Sequence, residues 1–161
     1  MKNINEWLAE YGQSHQNPVN KIAHWLCVPP IVLTVLGFIA SIPVPEVLHS
    51  AWPAFNWVFV AMVAGVFYYW LLSPALALGM IPVLAAMVFL LALMTRLPGP
   101  LWQTCLAIFV VAWIGQFIGH EIEGKRPSFF KDLQFLLIGP LWLLAFVYRA
   151  LDWRYSPVHD K

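Results

Sequence analysis

Residues 57–94 read "WVFVAMVAGVFYYWLLSPALALGMIPVLAAMVFLLALM" and contain no Asp, Glu, Lys or Arg. The apolar composition extends on both sides, because Glu46 and Arg96 are the only such charges between Trp25 and Gly119. Charged residues make up 11% of the 161-residue chain and hydrophobic residues 61%, whereas a soluble domain carries about 25% charged residues. Because a soluble protein cannot cover its surface with such a segment, the sequence predicts an integral membrane protein.

The apolar segments have the lengths expected of membrane-crossing helices, which need roughly 20 apolar residues. Four segments qualify, namely 26–42, 54–72, 75–95 and 100–119. A fifth apolar segment, 133–148, is shorter and contains Gly139-Pro140, so either a short single crossing or a re-entrant pair of half-helices is possible. Basic residues on both sides of this segment favour the re-entrant form. We therefore predict an all-α polytopic membrane helix bundle that forms a single domain over residues 1–161.

The first 24 residues are polar and contain two helix signals. An apolar stripe at i, i+3, i+4 and i+7 predicts an amphipathic helix, made by Ile4, Trp7, Leu8 and Tyr11. This helix either lies at the membrane interface among the lipid headgroups or packs against neighbouring helices. Asn17-Pro18 then predicts the start of the next helix, with Asn as the N-cap and Pro at the first helical position.

Basic residues cluster on one side of the predicted membrane. They precede the first span and follow the fourth, at Lys2, Lys21, Lys125, Arg126 and Lys131. The positive-inside rule therefore places the N-terminus and the 120–132 loop in the cytoplasm, and the basic tail at 149–161 favours the same side. The compact loops favour the bacterial inner membrane, with the endoplasmic reticulum as the alternative.

Two polar stretches meet on that predicted face, "SHQNPVNKIAHW" at 14–25 and "QFIGHEIEGKRP" at 116–127. They supply three imidazoles, two carboxylates and three amides that would hydrogen-bond the rings, namely His15, His24, His120, Glu121, Glu123, Asn17, Asn20 and Gln116. Imidazole suits Fe, Zn and Cu, and histidines with a carboxylate and open positions suit non-haem Fe(II) chemistry. A single histidine at the water boundary needs no metal, so the predicted metal site depends on convergence of all three.

Three function classes fit these features. They are a membrane oxygenase, a non-enzymatic membrane scaffold or transport component, and a zinc-dependent lipid hydrolase. A net charge of +1 and the lack of a basic run argue against a nucleic-acid partner. The break at Asn17-Pro18 matters for all metal hypotheses, because it allows His15 to fold back towards His24.

The two stretches "YGQSHQNPVNKIAHWLCVP" and "WIGQFIGHEIEGKRPSFFKDLQFLLIGPLWLL" resemble the two signature blocks of the Mpo1-like family. The resemblance implies a membrane Fe(II) dioxygenase that uses dioxygen to shorten long-chain 2-hydroxy fatty acids by one carbon. It also implies that His15, His24 and His120 are the iron ligands and that Glu123 is a candidate fourth, with Glu121 as the other acidic candidate. Lys125 or Arg126 would then attract the carboxylate of the substrate.

Overall fold

The computed structural model describes residues 2–124 and 129–156. Within these residues the chain forms seven helices and no strand. In chain order they are α1 (Ile4–Gln13), α2 (Pro18–Ala40), α3 (Glu46–Ala51), α4 (Trp57–Leu72), α5 (Pro74–Met94), α6 (Leu101–Glu123) and α7 (Phe129–Ala150). The predicted all-α fold class is confirmed.

Among the residues that the structure describes, three helices, α2, α5 and α6, are long and apolar enough to cross a membrane. This finding fits the predicted integral membrane protein, but it does not confirm the predicted set of four spans. The segment predicted at 54–72 forms α4, which has 16 residues because Asn56 caps its start and it ends before Ser73-Pro74. A 16-residue helix is about 24 Å long, which is less than the roughly 30 Å of a bilayer core.

The fifth apolar segment forms a single helix, α7, which runs through Gly139 and Pro140 without a break. The two half-helices expected of a re-entrant segment are therefore not present in 129–150. Proline removes a helical N–H and is tolerated in apolar helices when neighbouring elements supply hydrogen bonds. Close to this point, Tyr69 of α4 donates its hydroxyl hydrogen to the carbonyl oxygen of Leu137 over 2.9 Å.

The N-terminal helix α1 packs against the rest of the protein. Asn3 and Glu6 form a capping box at its start, and the predicted apolar stripe buries Ile4, Leu8 and Tyr11. These side chains join one hydrophobic core with α7. The apolar stripe thus packs against neighbouring helices, and the predicted position of α1 at the membrane interface stays a prediction.

Helices α2 and α6 form the most extensive helix pair among the described residues. Gly37 faces Cys105, and a Cβ at Gly115 would lie 2.6 Å from the Cys27 sulfur. These pairs run in opposite directions along the chain, so the two helices are antiparallel. Small residues at such a contact let two apolar helices approach closely. The same register puts His24 of α2 opposite His120 of α6.

Large apolar side chains cover the outward faces of the long helices. Phe67 of α4, Phe89 of α5 and Val111 of α6 are each more than 60% exposed. A water-soluble monomer rarely exposes contiguous apolar surface of this kind, whereas lipid tails are a suitable environment for it. The exposed surface therefore agrees with the composition of the apolar segments.

The close contact of α2 with α6 can be tested by replacing Gly37 with alanine. The new methyl group would collide with the buried Cys105 sulfur, so Gly37→Ala should lower the free energy of unfolding by about 1–3 kcal/mol. Gly65→Ala is the matched control, because nothing lies within 4 Å of a Cβ there and alanine favours a helix. Thermal unfolding in detergent measures both variants, and equal stability of the two would contradict the proposed contact.

Candidate metal centre

The connection between α1 and α2 brings His15 back towards the start of α2. Helix α1 ends at Gln13, and the His15 backbone N–H donates to the Gly12 carbonyl over 3.1 Å. Asn17 caps α2 by accepting a hydrogen bond from the Val19 N–H, and Pro18 is the first helical residue. The predicted start of α2 is confirmed, and the chain reverses as the sequence pattern required.

His15, His24 and His120 converge into one group. One potential ligand atom from each lies within 4.8 Å of the others. The ring centroids are 4.0 Å apart for His15 and His24, and 5.1 Å apart for His24 and His120. All three side chains are buried, at 8% exposure or less. The three predicted metal ligands are therefore together in space.

Backbone carbonyls fix the protonation pattern of two rings. The Nδ1 atom of His15 contacts the Tyr11 carbonyl oxygen, and the Nδ1 atom of His24 lies 3.0 Å from the Asn20 carbonyl oxygen. A carbonyl only accepts hydrogen bonds, so both Nδ1 atoms must be the donors. Neutral imidazoles of this kind carry a lone pair on Nε2, which is the form that binds a metal.

The two Nε2 atoms face each other at 2.7 Å. Two imidazole lone pairs at this distance repel unless a proton or a metal cation lies between the rings. His120 adds a third ring to the same group. The residues present therefore fit a metal ion, which would neutralise this repulsion without breaking the two backbone hydrogen bonds.

Aromatic side chains cover the histidines. Tyr11 stacks on His15 with 4.2 Å between ring centroids and 12° between ring planes. Trp142 of α7 packs beside both side chains, with its ring centroid 5.5 Å from that of Tyr11 and 5.7 Å from that of His15. Tyr11 is not among the predicted site residues. It precedes His15 by four residues, a spacing that places two side chains on the same side of a helical turn.

A cavity of about 50 Å³ opens beside the three histidines. Its wall is mostly apolar and comes from α1, α2, α6 and α7, with the polar side chains of Trp113 and Gln116 from α6. The lining residues other than the histidines are Tyr11, Val28, Ile31, Trp113, Gln116, Phe135 and Leu136. None of these described residues carries a formal charge, so the cavity offers a low-dielectric space for a ligand next to the imidazoles.

Glu123 holds the connection between α1 and α2 in place. Its two carboxylate oxygens accept hydrogen bonds from the backbone N–H groups of Gln16 and Asn17, each over 2.9 Å. The Asn20 side chain also donates to Glu123 over 3.1 Å. These bonds connect the end of α6 to the loop that carries His15. Glu123 does not belong to the group of side chains whose potential ligand atoms lie within 4.8 Å of one another.

The other predicted site residues occupy different places. Glu121 is exposed, and the side chains of Asn17 and Asn20 bond the backbone and Glu123 instead of the imidazole rings. Gln116 lines the cavity and is buried. The catalytic roles of Glu121 and Glu123 stay predictions. Lys125 and Arg126, predicted to attract a carboxylate, lie outside the described residues.

Comparison with known proteins identifies the family of this chain. Residues 1–151 match the profile of the family described as "Mpo1-like: 2-hydroxy-palmitic acid dioxygenase Mpo1-like". The chain is also similar to 2-hydroxy-palmitic acid dioxygenase MPO1 of Saccharomyces cerevisiae, with 24% identity over 139 residues, which are 85% of this chain and 75% of the yeast protein. No solved structure matches the chain. Because the profile covers nearly the whole sequence, including all three clustered histidines, the chain belongs to the Mpo1-like family.

Proposed function

We propose that this chain is an Fe(II)-dependent membrane dioxygenase that shortens long-chain 2-hydroxy fatty acids by one carbon. The overall reaction balances as R–CH(OH)–COOH + O2 → R–COOH + CO2 + H2O, so dioxygen is the only oxidant. The observation that carries the proposal is the convergence of His15, His24 and His120 in a buried group. The dioxygenase names of the family and of the yeast relative support the reaction class.

The three histidines would hold the iron, which when bound supplies a Lewis-acidic and redox-active centre with open positions for both substrates. The chain itself orients the rings. The carbonyls of Tyr11 and Asn20 keep the Nε2 atoms of His15 and His24 unprotonated and directed into the group. The stacked Tyr11 ring and the Trp142 ring limit the access of water.

The apolar surroundings of the site suit a substrate with a hydrocarbon tail. Val28 lines the cavity beside the histidines and also lines a second cavity of about 160 Å³ between α2, α5 and α7. The second cavity is surrounded by apolar side chains, including Met80 and Leu144. We assign the acyl chain to these two neighbouring apolar cavities, because burying it there is favourable at about 25 cal/mol per Å².

The membrane orientation is part of the same proposal. Positive charges near the N-terminus, at Lys2 and Lys21, favour a cytoplasmic N-terminus. The metal centre would then face the cytoplasm, and the bacterial inner membrane stays the predicted location. The attraction of a substrate carboxylate by Lys125 and Arg126 likewise stays a prediction.

For Glu123 we propose a positioning role. Both of its oxygens already accept backbone hydrogen bonds at the start of α2. Becoming a metal ligand would require Glu123 to give up at least one of these bonds, which are strengthened by its negative charge. Its contribution is then to keep the turn that carries His15 close to α6.

Metal content tests the ligand set directly. Wild-type protein purified in mild detergent should contain iron, and His15→Ala, His24→Ala and His120→Ala should each lose it. The loss in affinity should exceed the roughly 10- to 100-fold that removal of an outer hydrogen-bond partner costs. His49→Ala is the control, because His49 is exposed in α3. Elemental analysis that finds the wild-type metal content in all three variants would refute the assignment.

Oxygen consumption tests the reaction. Iron-loaded protein should take up dioxygen with 2-hydroxypalmitic acid and release a 15-carbon acid. Palmitic acid should give no oxygen uptake, because it lacks the C2 hydroxyl group that would bind the metal together with the carboxylate. An oxygen electrode and mass spectrometry of the products measure both. Tight zinc binding with no oxygen uptake at any chain length would instead favour a lipid hydrolase and end this proposal.

The positioning role of Glu123 makes a separate prediction. Glu123→Ala leaves two backbone N–H groups without their carboxylate, so it should cost about 1–3 kcal/mol of stability and weaken iron binding about 10-fold. Glu121→Ala should change neither quantity, because the side chain of Glu121 is exposed. Thermal unfolding and iron titration measure the pair. Complete loss of iron without loss of stability would identify Glu123 as a ligand.

A further inference from the structure

Two buried N–H donors, on side chains that line the cavity, have no hydrogen-bond partner among the described residues. They are the indole Nε1 of Trp113 and the side-chain Nε2 of Gln116, and both atoms are buried. Gln116 is only 4% exposed. Leaving a buried donor unsatisfied costs free energy comparable to a lost hydrogen bond. Such a pair in the wall of a cavity indicates a ligand that presents oxygen atoms to it.

The spacing of these donors relates them to the metal centre. Trp113, Gln116 and His120 are at i, i+3 and i+7 along α6, which puts them on one face of the helix. All three line the cavity of about 50 Å³. A ligand that contacts the imidazoles is therefore within reach of both donors. The same heptad spacing is the sequence signal that would have added Trp113 to the predicted site.

We infer that the N–H groups of Trp113 and Gln116 bind the carboxylate of the 2-hydroxy acid. This inference rests on the proposed function, which supplies the substrate class. A carboxylate accepts hydrogen bonds on two oxygens and donates none, so it satisfies two donors at once. No described lining residue carries a negative charge that would repel it. Hydrogen bonds to a charged acceptor in a low-dielectric cavity are the strong ones.

The proposed donors also orient the substrate. With the carboxylate bound to α6, the C2 hydroxyl is directed towards the histidines and the acyl chain towards the apolar wall formed by Val28 and Leu136. Holding the head group at a fixed position is the proximity contribution that a dioxygenase site needs. Fatty acids and 2-hydroxy acids share the carboxylate, so these donors recognise the acid and do not select for the hydroxyl.

Ligand binding under anaerobic conditions tests the inference without turnover. The full-length protein in detergent is titrated with radiolabelled 2-hydroxypalmitic acid and with 1,2-hexadecanediol. The diol keeps the chain length and the C2 hydroxyl but has a hydroxyl group in place of the carboxylate. Gln116→Met and Trp113→Phe should each raise the dissociation constant of the acid about 10-fold, the effect of one lost charged hydrogen bond. The dissociation constant of the diol should rise less than that of the acid in both variants, because its C1 hydroxyl accepts only a neutral hydrogen bond.

Helix α6 offers matched controls at its opposite end, where Trp102 and Gln103 are exposed. Trp102→Phe and Gln103→Met should bind both ligands as the wild type does. Unchanged binding of the acid by Gln116→Met and Trp113→Phe, or equal weakening of acid and diol, would overturn the inference. Should Gln116→Met fail to fold, Trp113→Phe decides alone, because phenylalanine keeps an aromatic ring and the diol reports any weakening that comes from the smaller ring instead of the lost N–H.

The outcome also separates this inference from the proposed function. Protein that consumes dioxygen with 2-hydroxypalmitic acid while both variants bind the acid normally would keep the function and reject the donor pair. Protein that binds the acid through both donors but consumes no dioxygen would keep the donor pair and reject the function.

Discussion

The close antiparallel contact of α2 with α6 is the constraint on which the rest of the structure depends. Gly37 and Gly115 allow this contact, because a side chain at either position would overlap a cysteine sulfur on the opposite helix. Two apolar helices gain little from the hydrophobic effect inside a membrane, so close van der Waals packing has to hold them together. The register that this packing imposes brings His24 and His120 into the same group.

The third histidine depends on a different interaction. His15 precedes α2, so helix packing alone does not position it. The carboxylate of Glu123, at the end of α6, binds the backbone of Gln16 and Asn17 and thereby connects the loop to the same helix that carries His120. One helix pair therefore determines the positions of all three imidazoles, two through side-chain register and one through backbone hydrogen bonds.

The surroundings of the histidines combine a polar environment and an apolar one. Backbone carbonyls hold the imidazole rings, and Trp113 and Gln116 add two buried N–H groups, while α2 and α7 provide an apolar wall. Polar groups in an apolar interior are costly and usually functional. The proposed substrate, with an acidic head and a hydrocarbon tail, would match this arrangement, since each end would find the environment that it prefers.

The sequence by itself determined the helical membrane class, the start of α2 at Asn17-Pro18 and the identity of the three clustered histidines, since these follow from local composition and from two short motifs. Tertiary structure decided the rest. The continuity of α7 and the packing of α1 depend on neighbouring helices that no local pattern describes. Likewise, the hydrogen bonds of Glu123 with residues more than 100 positions away arise only from the fold, because a carboxylate beside a histidine in sequence can serve as a ligand or as a backbone acceptor.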